Sequence, residues 1–188
     1  MNKTRMLIFC ALFTALIAVG AFIKIPIPPV PKTLQLFFVI CSGAFLGAAG
    51  GFMSSAAYLL LGLIGLPIFT GGGGFGYIFK PTFGYIIAFT IGGWLTGFLI
   101  DRMKERHITR LFFANLAGLT VIYVIGVLYL YYMTNGYVGK QMPWSTALFY
   151  GVLLPLPGDV ALCYLAALIT KRIRAYDTLK LKAGVRQG

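Results

Sequence analysis

Few side chains in this sequence can do chemistry, and one of them stands apart. Asp159, in Leu154-Pro-Leu-Pro-Gly-Asp159, lies within an apolar run, whereas the other three acids, Asp101, Glu105 and Asp177, lie among basic residues. An ionisable group in hydrocarbon is costly and faces a cavity or a partner. Pro155, Pro157 and Gly158 interrupt the helix around it and free backbone groups that a ligand can pair with. Catalytic raw material is otherwise missing. The single histidine, His107, sits in a basic loop with Arg106 and Arg110, and Cys10, Cys41 and Cys163 lie singly in apolar stretches. Nothing here assembles a Ser/His/Asp or metal set, and the run Gly71–Gly76 lacks the GK[ST] ending that holds phosphate and magnesium. One membrane acid is also too little for the relay of a proton- or sodium-coupled carrier. The chain reads as a binding protein with no enzymatic activity, metal or cofactor.

The elements that must position Asp159 are membrane helices. Of 188 residues 59% are hydrophobic and 11% charged, with 24 glycines, and the mean hydropathy is +0.88. No soluble core hides that much apolar surface. Charge-free runs bounded by Pro, Gly and basic residues predict six spans near 6–23, 34–50, 52–66, 83–100, 111–133 and 145–170, at ~20 residues per crossing. The fold class is therefore an all-α six-helix membrane bundle, a single integral domain over 1–188. Met6–Ile23 is long enough to span and is followed by Lys24-Ile-Pro26 rather than a small-x-small cleavage site. Gly47-Ala-Ala-Gly-Gly51 is the whole connection between the second and third spans and suggests a tight reversal.

The formal charge of +12 is placed as a topology signal rather than a nucleic-acid surface. Twelve of the 16 Lys and Arg fall in three clusters: Lys3 and Arg5; Arg102, Lys104, Arg106 and Arg110; Lys171, Arg172, Arg174, Lys180, Lys182 and Arg186. Only Lys24, Lys32, Lys80 and Lys140 fall on the other side. Both termini are expected in the cytoplasm. On the outer side, Lys24-Ile-Pro-Ile-Pro-Pro-Val-Pro-Lys32 carries four prolines and reads as a stiff extended cover. The glycine-rich Gly65–Gly76, followed by Tyr77–Pro81, is apolar and aromatic, and non-helical backbone at membrane depth is tolerated where it is buried in protein or lines a cavity. It is a candidate binding wall.

Five motifs, Val30-Pro-Lys-Thr-Leu-Gln35, Gly62-Leu-Ile-Gly-Leu-Pro-Ile-Phe69 with the glycines after it, Pro81-Thr-Phe-Gly-Tyr85, Val121-Ile-Tyr-Val-Ile-Gly126 and Pro157-Gly-Asp159, occur in an order and spacing that resemble the BioY family. These are the biotin-specific S components of energy-coupling factor (ECF) transporters, and the resemblance covers nearly the whole chain. It implies a six-helix bundle in a prokaryotic plasma membrane that binds biotin from outside, docks on a transmembrane T component and is driven by two cytoplasmic ATPases. An S component of the same architecture for another small vitamin-like molecule is the alternative.

The resemblance also implies roles for residues. A small-xxx-small stripe on the first helix, here Ala11-Leu-Phe-Thr-Ala15, would dock the T component, because small residues let helices approach closely in lipid. Biotin offers ureido donors and an acceptor, an apolar body and a carboxylate, so its site needs a few polar anchors among apolar walls. Asp159 is expected to accept ureido N–H bonds, Gln35, Asn115 or Thr82 to donate to the ureido oxygen, and Tyr85 and Tyr123 to stack or hydrogen-bond. Gly72, Gly73 and Gly74 would bring backbone N–H groups close to the ligand. Many relatives carry a lysine three residues beyond this aspartate, where this chain has Leu162. Lys80, in Phe79-Lys-Pro-Thr82, is therefore the expected cationic partner of Asp159 or of the biotin carboxylate.

Overall fold

A computed structural model describes residues 3–27, 29–103 and 107–185, the stretch 174–185 by its backbone alone. Pro28, Lys104, Glu105, Arg106 and Arg186, and the side chains of Arg174, Asp177, Lys180 and Lys182, all used above to read charge and loops, lie outside that description. Helix α1 spans Lys3–Phe22, and a two-stranded antiparallel ribbon follows, β1 (Lys24–Ile25) pairing with β2 (Lys32–Thr33). Then come α2 (Gln35–Leu63), a 3₁₀ turn (Phe75–Phe79), α3 (Phe83–Asp101), α4 (Ile108–Gly136), the short α5 (Trp144–Leu148), a π turn (Phe149–Leu153) and α6 (Leu156–Val185). Five helical stretches are long and apolar enough to cross a membrane: Lys3–Phe22, Gln35–Leu63, Phe83–Asp101, Ile108–Gly136 and Trp144–Ile173. Their outward faces carry exposed Ile8, Phe113 and Tyr132, the composition that lipid accepts and water does not.

The second of these stretches is not straight. Gly47 interrupts it with φ 78° and ψ −172°, a region open only to a residue without a Cβ. In an unbroken helix Gln35 and Tyr58 would stand ~35 Å apart. Instead the Gln35 amide donates to the Tyr58 hydroxyl at 2.7 Å. The chain therefore turns back on itself at Gly47, and its two limbs pack side by side. The Ala48 N–H that opens the second limb is capped by Asp101 Oδ2 at 2.8 Å, so the end of α3 fastens the turn. Close approach of α3 to both limbs depends on glycines: a Cβ on Gly43 or Gly51 would strike the Gly93 carbonyl, and one on Gly97 would strike Gly47.

Around this hairpin the core is built from Ile17 of α1, Val39, Ile40 and Tyr58 of α2, Phe89 of α3, and Leu119 and Ile122 of α4. The glycine-rich segment after α2 is folded rather than slack. Phe69 and Gly72 exchange backbone hydrogen bonds at 2.9 and 3.1 Å, and the Gly74 N–H reaches the Gly62 carbonyl at 2.7 Å. Phe69, almost wholly buried, wedges between the rings of Tyr58 and Tyr77, at centroid distances of 5.3 and 4.6 Å.

Candidate functional site

The approach to α6 is shaped by its prolines. Pro155 has no N–H to offer the Gly151 carbonyl one turn earlier, and the Leu154 N–H reaches past it to Phe149 O at 2.9 Å, which makes the π turn. The freed Gly151 carbonyl is taken by the Tyr85 hydroxyl at 3.0 Å. Asp159 sits in the first turn of α6, its N–H bonded to the Pro155 carbonyl at 3.1 Å. Carboxylates are stabilised there by the positive end of the helix dipole.

Two other elements converge on that carboxylate. From α4 the Tyr123 hydroxyl donates to Oδ2 at 2.6 Å. From β2 the Lys32 ammonium stands 4.0 Å from Oδ1 and donates to the Pro155 carbonyl at 3.2 Å. Oδ1 itself has no hydrogen-bond partner among the described residues, although Asp159 is only 5% exposed. Gly158 makes room for this arrangement, since a Cβ there would collide with Lys32 Nζ.

These groups line a cavity. The ribbon and its loop cover one side through Val30, Pro31, Lys32 and Thr33; Gln35 and Leu36 of α2, Thr82, Tyr85, Ile86 and Phe89 at and within α3, and Ile122 and Tyr123 of α4 form the walls. Thr70, Tyr77, Gly151 and Pro155 complete it. The lining is mostly apolar with a few convergent polar groups, which positions a ligand more than it attacks one.

Of the residues singled out from the sequence, Asp159, Gln35, Thr82, Tyr85 and Tyr123 meet at this cavity. Gln35 is already engaged on both sides: it accepts from Thr33 at 3.1 Å and donates to Tyr58, whose hydroxyl passes on to Ile68 O at 3.0 Å. Lys80 does not line the cavity. Its ammonium donates to Gly71 O at 2.8 Å and lies 4.5 Å from the Tyr77 ring centroid, bracing the glycine-rich segment from outside. The cation beside Asp159 is Lys32, which the sequence had placed in the outer cover and in the Val30–Gln35 motif but not among the ligand contacts.

Asn115 is fully buried at the α4–α6 contact, donating to the Cys163 carbonyl at 2.8 Å, and Gly72, Gly73 and Gly74 belong to the fold of their own segment; neither set reaches the cavity. Ala11 and Ala15 are exposed on the far side of α1, in an apolar groove shared with Ala18, Met53 and Ala57. Thr70 and Tyr77, hydrogen-bonded to each other at 2.9 Å, were not singled out as contacts. The aromatic character of the glycine-rich segment was their only signal. Among the described residues no group of three His, Cys, Asp or Glu could hold a metal.

Comparison with known proteins gives a consistent result. The model of the BioY family matches residues 1–178. A protein named probable biotin transporter BioY from Lysinibacillus sphaericus is 42% identical over 172 residues, covering 92% of this chain and 88% of that one. The biotin transporter BioY of Thermotoga maritima is 43% identical over 174 residues, covering 92% and 98%. Among solved structures, the crystal structure of the S component for biotin from an ECF-type ABC transporter superposes with a TM-score of 0.82 at 31% identity, covering 93% of this chain and 95% of that one.

Proposed function

The chain belongs to the BioY family, a family of transporter subunits rather than enzymes, and we propose that it is the biotin-binding S component of an ECF transporter. The observation that carries the reading is Asp159, held in the wall of a mostly apolar cavity with one carboxylate oxygen that has no hydrogen-bond partner among the described residues. Biotin fits that chemistry. Its ureido N–H groups are donors for Asp159, its thiophane ring and aliphatic chain match Ile86, Phe89 and Ile122, and Tyr85, Thr82 and Gln35 complete the polar contacts. Lys80, Asn115 and Gly72–Gly74 hold the walls in place rather than touch the ligand.

Six crossings follow if each limb of α2 counts as one, a count supported by the return of the chain at Gly47 and by the basic clusters, which then all fall in the cytoplasm with both termini. The membrane is the plasma membrane of a prokaryote. The chain offers no motor of its own, and transport energy comes from a T component and two cytoplasmic ATPases. Ala11 and Ala15 present the small face on which the T component docks, with the groove beside them left open for its helices.

Native mass spectrometry of the detergent-purified protein with added biotin tests the reading. A stoichiometric 1:1 biotin complex is expected. A protein that ignores biotin and retains a different small molecule from cells would keep the architecture and move the ligand, and would refute the biotin assignment.

A further inference from the structure

The cavity holds its cation and its anion side by side. Lys32 Nζ and Asp159 Oδ1 are 4.0 Å apart, with their side chains 25% and 8% exposed. An ammonium has three N–H donors, and among the described residues Lys32 has one hydrogen-bond acceptor, the Pro155 carbonyl. Asp159 is likewise half used: Tyr123 occupies Oδ2 and nothing described donates to Oδ1. At the same spot there is thus a free donor on a positive group and a free acceptor on a negative one. A ligand carboxylate placed here meets the charge of Asp159, and a ligand ammonium meets that of Lys32, both at short range in a partly dry site. What suits both is a neutral group that presents a donor and an acceptor along one edge.

From this geometry we infer that Lys32 is a specificity-determining residue that acts with Asp159 to read the N–H/C=O edge of a cyclic urea, Oδ1 accepting from the N–H and Nζ donating to the carbonyl oxygen. The inference rests on the biotin reading, because biotin carries such a ring. It assigns the ureido end of the ligand to the start of α6 and sends the valerate carboxylate away from it. Lys32 belongs to the ribbon that covers the cavity, so a ligand held this way also fastens the ribbon to α6. Lys80 takes no part, since its amine is committed to Gly71.

The test compares biotin with 2-iminobiotin, in which an imine replaces the ureido oxygen and, protonated at neutral pH, turns an acceptor into a cationic donor. Affinities for both are measured by calorimetry on the purified full chain. The unaltered protein is expected to prefer biotin by at least about tenfold, and equal affinities would overturn the inference. Lys32→Met is expected to lose about tenfold or more for biotin while 2-iminobiotin changes by less than about threefold, so that the preference collapses. Equal losses for both ligands would make Lys32 a fastener of the ribbon only and would also overturn it. If the methionine variant fails to fold, the preference of the unaltered protein still decides, and Lys32→Arg, which keeps the charge and the donors, is expected to retain that preference. A parent protein that binds neither ligand would refute the biotin reading itself, an outcome distinct from binding both equally.

Discussion

Gln35 and Tyr58, 23 residues apart within one helical element, share a hydrogen bond of 2.7 Å, and through it the first limb of α2 is tied to the second. The tie continues in both directions. Thr33 of β2 donates to the Gln35 oxygen, and the Tyr58 hydroxyl donates to Ile68 O in the segment leading to the glycines. One chain of polar groups, buried at its centre, thereby connects the ribbon over the cavity, the hairpin beneath it and the glycine-rich wall. Such a network rigidifies a site when every member is satisfied.

Gln35→Leu removes the middle of that chain while preserving approximate volume. The Tyr58 hydroxyl keeps its bond to Ile68 and loses its donor, so the cost to stability is expected to be about 1 kcal/mol. Because the ribbon loses its anchor to the floor, biotin should dissociate faster in stopped-flow measurements even where thermal unfolding in detergent shifts little. An unchanged dissociation rate would separate the network from the ligand.

Gly47→Ala should be far more damaging than a typical surface change, because two faults coincide. The backbone there has a φ and ψ that a residue with a Cβ adopts at a cost of about 1–3 kcal/mol, and the added carbon would press into the Asp101 carboxylate. Pairing it with Asp101→Ala removes the collision but not the backbone strain, and it deletes the cap on Ala48. The double variant is therefore expected to unfold at a temperature no higher than midway between Gly47→Ala and the parent. Full recovery would mean that the collision alone matters.

Asp159→Asn keeps the shape of the carboxyl group and removes its charge. The Tyr123 hydroxyl retains an acceptor, whereas Lys32 loses its partner and the ligand N–H groups lose a charged acceptor. Biotin affinity is expected to fall at least about tenfold, with the folded yield preserved, since a hydrogen bond to an ionised group is worth about 1.5–3 kcal/mol. Lys80→Met provides the contrast. Its ammonium braces Gly71 and Tyr77 outside the cavity, so affinity should change by less than about threefold while the unfolding temperature drops.

The contrast between Lys80 and Lys32 marks where sequence reading ran out. Asp159 was legible because a lone carboxylate in an apolar run is too costly to keep without a cavity or a partner to face. The turn at Gly47 was legible because five small residues between two apolar runs leave little else for the backbone to do. Lys80 and Lys32 both stand beside a proline in outer loops, at Lys80-Pro81 and Pro31-Lys32, and nothing local separates them. What separates them is tertiary. The glycine-rich segment folds onto itself through Phe69 and Gly72, which brings a carbonyl within reach of Lys80, whereas the pairing of Ile25 with Lys32 presents the latter to α6. Gly158, read as a helix breaker, is also the space that Lys32 fills. Asn115 and the glycines at 72–74 have the types of contact residues, and their positions are set by helix packing and turn geometry that no single spacing encodes.

Ala11 and Ala15 present a different case, because their exposure is a property of the isolated chain. Both face outward beside Ala18, Met53 and Ala57, in a groove where small side chains leave the α1 backbone open to close approach. In lipid such an approach is driven by van der Waals contact, and two bulky rings would hold a partner helix several ångströms away. The double substitution Ala11→Trp with Ala15→Trp is remote from the ligand cavity, none of whose lining residues lies on α1. ATP-driven uptake of biotin in cells that supply the T component and ATPases is therefore expected to be abolished, while the purified variant binds biotin with affinity within about twofold of the parent. Uptake that survives both tryptophans would place the docking surface elsewhere on the bundle. Loss of binding together with uptake would show instead that α1 supports the cavity from behind, through the Thr14 hydroxyl that donates to Ser54 O at 3.0 Å and ties α1 to the second limb of α2.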